Sequence, residues 1–358
     1  MKSKKFLKEY LNAYSPVSME FEGQRIWASY LKNYVDELHD DNYGNVWGVI
    51  KSKRKIGKDK EYRVVIEAHC DEISWVISYI SDTGKIYVNK NGGSDVTIAP
   101  SKRVVIHTRK NGLVQGVFGF TAIHLRKNKN TGPELKDLFI DVGYDSKDKV
   151  KEIGIEVGNI VTFNDQFEEM GDYYVGKALD NKLGGYIIAE VTRKLHENNI
   201  QLPYDLYIVN AVQEEVGLHG AKMVSQTIKP HVALVTDVCH NTNTPDIDKK
   251  VECDVNGGKG GVFEHSAQNH RKLIDLMRDA SDEKEIPYQL EIGSQGNDTM
   301  GFFLSNGGTP TAIVGLPLKY MHTTCEMSHK DDVESVINIL YHSLQKIENG
   351  HNFKYHNF

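Results

Sequence analysis

Hydrophobic positions at the start of the chain recur at spacings of three and four: Phe6, Tyr10 and Leu11, then Ile26, Trp27, Tyr30, Leu31 and Tyr34. This periodicity predicts helix through the first forty residues, interrupted at Ser15-Pro16. Ser18 is placed to cap the second helix, with Glu20 and Glu22 in its acidic first turn. A turn at 42–45, a short apolar run at 46–50 and a basic, solvated hairpin at 51–60 lead to a buried strand at 62–68.

From about 73 to 163 the texture changes to short β-branched runs punctuated by glycine, with strands expected at 75–80, 85–88, 103–107, 112–118, 138–142 and 160–163. Asp82-Thr83-Gly84, Asn91-Gly92-Gly93 and Lys110-Asn111-Gly112 supply the turns between them. A small all-β domain or barrel inserted into the chain is therefore expected. Beyond it helices (181–197, 220–226, 270–280, 332–347) alternate with strands (205–212, 232–236, 311–316). That alternation implies an α/β sandwich, a central mixed and largely parallel sheet flanked by helices. The chain thus divides into 1–73 and 164–358, two parts of one α/β domain, around the β-rich insertion 74–163.

Composition narrows the function. The 43 Lys+Arg against 49 Asp+Glu leave a net charge of −6, a poor balance for coating nucleic acid or anionic lipid. No run approaches the ~18 apolar residues of a membrane span, and the basic start runs into Phe6-Leu7-Lys8-Glu9-Tyr10 rather than an apolar signal core. The expected compartment is the cytoplasm. Cys70, Cys239, Cys253 and Cys325 are too scattered for a disulfide framework, and no pair has Cys-x-x-Cys spacing.

In open α/β sheets ligands bind beyond the carboxyl ends of the strands. Val64-Val65-Ile66 runs into Glu67-Ala68-His69-Cys70-Asp71-Glu72; the run from Leu206 reaches Gln213-Glu214-Glu215; Ala233-Leu234-Val235-Thr236 ends in Asp237; and Ile313-Val314 leads to His322. Asp180 stands just before a helix, whose N-terminal dipole favours a carboxylate. Two histidines and four carboxylates thus gather at one sheet edge, where the carboxylates would repel one another without cations. The mixture of imidazole and carboxylate suits a dinuclear site for Zn²⁺, or its near substitutes Co²⁺ and Mn²⁺.

These segments carry a resemblance. Ala68-His69-Cys70-Asp71-Glu72-Ile73, Gly176 to Asn181, Gln213 to Gly217, Thr236-Asp237-Val238 and Tyr320-Met321-His322 resemble, in order along nearly the whole chain, the five metal-site motifs of the M42 metallo-aminopeptidases. The resemblance implies a di-zinc exopeptidase-like fold with the β-rich insertion as an apical, oligomer-forming domain. It implies two divalent metal ions bridged by Asp180, one completed by His69 and Asp237, the other by Glu215 and His322. Glu214 is implied as the unligated general base, and a metal-bound hydroxide as the nucleophile that releases N-terminal residues from short peptides. A base must stay free of the metals to take the water's proton, which agrees with this division. Asp71 is placed to accept the second N–H of His69. The resemblance also implies a homo-oligomer, commonly of twelve subunits.

Some positions depart from the family pattern. Asn181 stands where a second acid is frequent, and the loop 293–300 matches only loosely. Within that loop Asp298 is expected to bind substrate, at its amino terminus or its side chain, with a turn role as the alternative. Lys319, near His322, would favour an acidic substrate side chain if it reached the pocket. Gly257-Gly258-Lys259-Gly260-Gly261 lacks P-loop spacing and reads as a turn closely approaching another element. His240 and His329 read as loop histidines, and His124 has no assigned chemistry.

An alternative keeps the two metals but acts on N-acyl amino acids or dipeptides. Glycoside hydrolysis by Glu214 and Glu215 needs carboxyls facing each other roughly 5 to 9.5 Å apart across a sugar, for which consecutive residues are ill placed. A non-catalytic binding protein would have lost ligands that are all present here.

Overall fold

Alternate residues of one central strand enter two different cores. In the computed structural model, which describes residues 2–53, 62–126, 132–293, 296–356 and 358, Val64, Ile66 and Ala68 belong to one apolar cluster and Val65 to another. A strand covered on both faces needs an unbroken apolar run, and Val64-Val65-Ile66 supplies it. Most of the basic segment expected as a hairpin, and Ser294 and Gln295, lie outside the described residues.

Two helices, α1 (Lys2–Asn12) and α2 (Phe21–Leu31), precede strands β1 (Glu37–Asp40), β2 (Val46–Ile50) and β3 (Arg63–His69), which begin the main sheet. The chain then leaves it for β4 (Ser74–Ile80), β5 (Ile86–Asn91), β6 (Arg103–Thr108), β7 (Gly112–Phe118), β8 (Phe139–Asp141) and β9 (Ile160–Phe163). These six close into a barrel in the order β4-β5-β8-β7-β6-β9. Its interior holds Trp75, Ile77, Ile106, Phe118 and Ile140, with Val150 of the short helix α3 (Lys147–Glu152) plugging it.

The main sheet resumes with β10 (Glu168–Met170), β11 (Tyr173–Gly176), β12 (Asp205–Ala211), β13 (Val232–His240), β14 (Gly261–His265), β15 (Tyr288–Ile292), β16 (Thr311–Lys319) and β17 (Glu326–His329). Its path is β1-β2-β12-β3-β13-β16-β17-β11-β10, with β14 pairing β16 and β15. Only the centre, β12-β3-β13-β16, is parallel along that path. Both flanks are antiparallel, so the sheet is mixed, as expected, but its parallel part is confined to the centre rather than making up most of it. Apart from β2, already visible as the apolar run 46–50, the flanking strands escape sequence reading because they are short and, in β1 and β10, exposed throughout, which leaves no apolar alternation to detect.

Helices α1 and α2, with α4 (Leu179–Glu197), α7 (Arg271–Asp282) and α9 (Lys330–Lys346), cover one face. Helices α5 (His219–Ile228) and α8 (Thr299–Phe303) cover the other, through Ala221, Val224, Ile228 and Phe302. The remaining one, α6 (Lys249–Glu252), is a single turn. The helical run expected up to residue 40 stops sooner, since 37–40 form β1. Ser18 does not cap α2; Glu20 occupies that position and its Oε1 accepts the Ser18 N–H at 2.8 Å.

Candidate metal centre

The parallel strands stop at different heights, and the step between them makes the crevice. β3 leaves its pairing with β13 at Glu67 and Val235, whereas β13 continues beside β16 to His240 and Leu318. Asp237 therefore lies within a strand, past the end of its pairing with β3, rather than after the strand as the apolar run implies. His69 is the last residue of β3, Glu214 and Glu215 follow β12, His322 follows β16, and Asp180 opens α4.

Several connections here adopt left-handed backbone at residues with side chains: Ala178, Gln213, Leu218, Tyr320 and His322. Each costs roughly 1–3 kcal/mol and persists only where surrounding bonds impose it. Two buried carboxylates do so. Glu326 accepts the His322 N–H at 2.7 Å and the Asp180 N–H at 3.1 Å. Asp71 accepts the Glu214 N–H at 3.0 Å and the Glu215 N–H at 3.1 Å.

Asp180 stands between two imidazoles. Its Oδ1 lies 3.3 Å from His69 Nε2 and its Oδ2 3.3 Å from His322 Nε2. Asp237 Oδ1 is 3.5 Å from the first ring nitrogen, and Glu215 Oε1 3.4 Å from the second. Two groups of donors result, His69-Asp180-Asp237 and Asp180-Glu215-His322, each with its atoms within 4.8 Å of one another. Glu214 belongs to neither, although its Oε2 is 3.9 Å from His69 Nε2. No cysteine joins either group among the described residues.

The electrostatics fit divalent cations. Burial opposes a charged His69, yet Asp180, Asp237 and Asp71 raise its pKa well above the imidazole range. Burial likewise opposes a charged His322, and Asp180 and Glu215 push it up to about 11. Glu214 is raised to about 10, by burial first and then by Asp237, Asp298 and Glu215 against the pull of His69; burial raises Glu215 to about 7. Carboxylates so crowded take up protons unless cations offset them. Imidazole nitrogens and carboxylate oxygens together match the ligand preference of Zn²⁺ and related ions.

The supports of this cluster were missed in the sequence. Glu72 is buried between Lys177 and Lys182, pairing with Lys177 and lying 3.2 Å from Lys182 Nζ, so it ties the loop after His69 to the residues flanking Asp180. Asn181 Nδ2 donates to Thr236 O at 2.9 Å, beside Asp237. Gly93, from the barrel, lies so close to His322 that a Cβ would stand 2.6 Å from its Nδ1. The lone signals in the sequence were Glu72, next to the His-x-Asp, and the paired glycines, both of which read as ordinary loop features.

Asp298, expected at the substrate, is 1% exposed and does not line the cavity, whose wall at this point is Gly296 and Asn297. Its carboxyl lies against that of fully buried Glu67, and among the described residues no other group donates to either. Burial raises Asp298 far above the carboxylate range, with Glu67 adding to it, and burial pushes Glu67 up to about 8. Lys319 is also directed elsewhere, with Nζ 4.9 Å from the centre of the Tyr173 ring. The glycine turn approaches α9 closely, as Gly258 and Gly260 donate their N–H groups to Asp332 at 2.8 and 2.7 Å. His329 caps α9 by accepting the Asp331 N–H at 3.2 Å, His240 lies on the cavity wall, and His124 is exposed on the barrel.

The family model for M42 glutamyl aminopeptidase matches residues 44–339. The putative aminopeptidase FrvX of Escherichia coli (strain K12) is 30% identical over 327 residues, 90% of this chain and 89% of that protein. The TET aminopeptidase of the marine sediment archaeon Thaumarchaeota archaeon SCGC AB-539-E09 superposes with a TM-score of 0.90 at 27% identity, covering 97% of each chain. The TET1 peptidase of Pyrococcus horikoshii, described as assembling into a tetrahedron or a large octahedral shell, does so with 0.84 at 26% identity, over 96% of this chain and 99% of that one. A match over most of its length makes the chain a member of the M42 aminopeptidase family and a peptide-bond hydrolase.

Proposed function

We propose that the chain is a dinuclear metal-dependent aminopeptidase that releases N-terminal residues from short peptides. The observation that carries this reading is the Asp180 carboxylate, which offers one oxygen to each of two imidazoles at 3.3 Å. His69, Asp180 and Asp237 would hold one divalent ion, and Asp180, Glu215 and His322 the other. Zinc suits the donor set best, with cobalt or manganese as substitutes. Such ions, when bound, acidify a water and polarise a substrate carbonyl.

The rest of the chemistry belongs to side chains. Glu214, outside both donor groups yet beside His69, is the general base: its carboxylate takes a proton and returns it to the leaving amine. Asp71 is a positioning residue, facing His69 Nδ1 at 3.4 Å and holding the Glu214-Glu215 backbone through two N–H bonds.

The barrel, residues 74–163, serves as the apical domain of a homo-oligomer, with 1–73 and 164–358 as the catalytic domain. Phe120, Ile123 and Leu125, 41%, 52% and 76% exposed on it, support a contact between copies. The tetrahedron described for the Pyrococcus horikoshii relative, whose rotational symmetry relates twelve equivalent copies, supports a dodecamer. The cytoplasm is the proposed compartment, in keeping with four unpaired cysteines; no helix among the described residues is long and apolar enough to cross a membrane.

The test is metal content together with hydrolysis of aminoacyl-p-nitroanilides by the native protein and Glu214→Gln. Two ions per chain and a kcat lower by roughly 10²–10⁴ in the variant, at unchanged metal content, are expected. Two ions with turnover only of N-acyl amino acids or dipeptides would replace the aminopeptidase by the amidohydrolase.

A further inference from the structure

The cavity over the metal centre, about 700 Å³, extends away from the ligands to a wall formed by β14 and β15. On that wall Glu264 and Glu291 are direct partners in a parallel ladder. Partners of this kind project their side chains from the same face about 5 Å apart, and like charges so placed repel. No lysine or arginine forms an ion pair with either one among the described residues. Glu264 is 4% exposed, and its Oε2 is buried with no hydrogen-bond partner.

From this we infer that the pocket takes a cationic side chain, so that the enzyme prefers peptides beginning with lysine or arginine, whose charged end lies between Glu264 and Glu291. The inference rests on the aminopeptidase reading of the adjoining site. It names what the carboxylates are for, since a pair desolvated on a rigid wall is costly unless its ligand brings the missing charge. Burial, then Glu291 and Asp237, push Glu264 up to about 8, and burial pushes Glu291 to about 7 although the Cys239 thiol helps it. An ammonium or guanidinium between them offsets both effects. An acidic side chain adds a third negative charge, and an apolar one leaves the two carboxyls without a cation and Glu264 Oε2 without a hydrogen-bond partner.

The surroundings keep the wall in place and open. β14 is tied to the central strand β16 through Val262 and Phe263. Gly293 leaves room for Glu264, whose Oε2 would stand 1.9 Å from a Cβ at that position. Lys319, the one cation the sequence brings near His322, is stacked on Tyr173 instead.

The experiment compares kcat/KM of the metal-loaded enzyme for lysyl-, arginyl-, norleucyl- and glutamyl-methylcoumarinamides. Norleucine has the length of lysine without the ammonium. Lysyl and arginyl substrates are expected to exceed norleucyl by roughly 10- to 100-fold, with glutamyl lowest. In Glu264→Gln and in Glu291→Gln the lysyl-to-norleucyl ratio should fall by about tenfold. A native ratio near one, or a ratio that survives both substitutions, overturns the inference. A second arm needs no turnover: calorimetric titration of Glu214→Gln with L-lysinamide and L-norleucinamide. Tighter binding of lysinamide supports the pocket even if no substrate is hydrolysed, in which case the aminopeptidase reading fails alone; equal binding overturns the pocket.

Discussion

The Asp71 carboxylate lies 3.4 Å from His69 Nδ1 while its two oxygens each accept a backbone N–H, from Glu214 and Glu215. One buried side chain thus sets the orientation of a ligand from β3 and of a ligand and base from the loop after β12. In Asp71→Asn an amide N–H₂ replaces one acceptor and opposes a backbone donor. Metal affinity or kcat/KM is expected to fall 10- to 100-fold, measured by competition with a chromogenic chelator and by initial rates. Asn at full activity and affinity would remove this role.

Glu72 is expected to be the stability counterpart. Burial opposes its charge, but Lys177 and Lys182 lower its pKa from 4.5 to about 2. Since the folded value lies below the unfolded one, the resulting stabilisation, ~3 kcal/mol, is complete above about pH 4.5 and is lost as pH falls through 2. Glu72→Gln leaves two buried ammonium groups uncompensated and should cost about 3–5 kcal/mol at pH 7. Urea unfolding from pH 7 down to 2.5 should show the native and variant curves converging; a constant gap would assign the loss to packing instead.

Gly93 carries the barrel to the metal centre. A methyl group there would meet the His322 ring at 2.6 Å, so Gly93→Ala must displace either the imidazole or the turn. A ligand shifted by about 1 Å lowers kcat/KM by roughly 10²-fold. Gly132→Ala, whose Cβ finds only Thr97 at an ordinary 3.6 Å, should leave the rate unchanged. Equal rates for both variants would show that His322 does not need the barrel to hold its position.

Metal binding should release protons. Before a cation enters, His322 stands at about 11 and Glu214 at about 10, so both are protonated at pH 7, and Asp180, Asp237 and Asp71 raise His69 well above the imidazole range against its burial. Histidine must be neutral to ligate, and binding therefore tightens as pH rises from 6 to 8. Calorimetry in buffers of different ionisation enthalpy reads the number of protons released. Affinity independent of pH across that range would contradict the protonation of both rings. Chelation should abolish hydrolysis and lower Tm, because the ions bind the folded chain.

Whether a feature is legible in the sequence depends on the kind of information it carries. Apolar runs such as Val64-Val65-Ile66 and Ala233-Leu234-Val235 mark buried strands in themselves, and the residues just beyond each run mark the sheet edge. Candidates at the sheet edge could accordingly be picked out before their mutual distances were known, and the resemblance to the M42 motifs singled out His69, Asp180, Glu215, Asp237 and His322 among them. Strands β1, β10, β11 and β17 could not, since a short or exposed strand is defined by its partner's hydrogen bonds rather than by its own side chains.

The sequence by itself determined the chemical types at the crevice, the alternation that builds an α/β sandwich, and the glycine-punctuated β segment, because these depend on local periodicity and on residue identity. Tertiary structure alone decided that Asp298 is buried while Asn297 lines the cavity, that Lys319 stacks on Tyr173, and that Glu264 meets Glu291. Each of those outcomes is a pairing across many residues of chain. Register and packing direction, which no local pattern records, settle which side chain meets which.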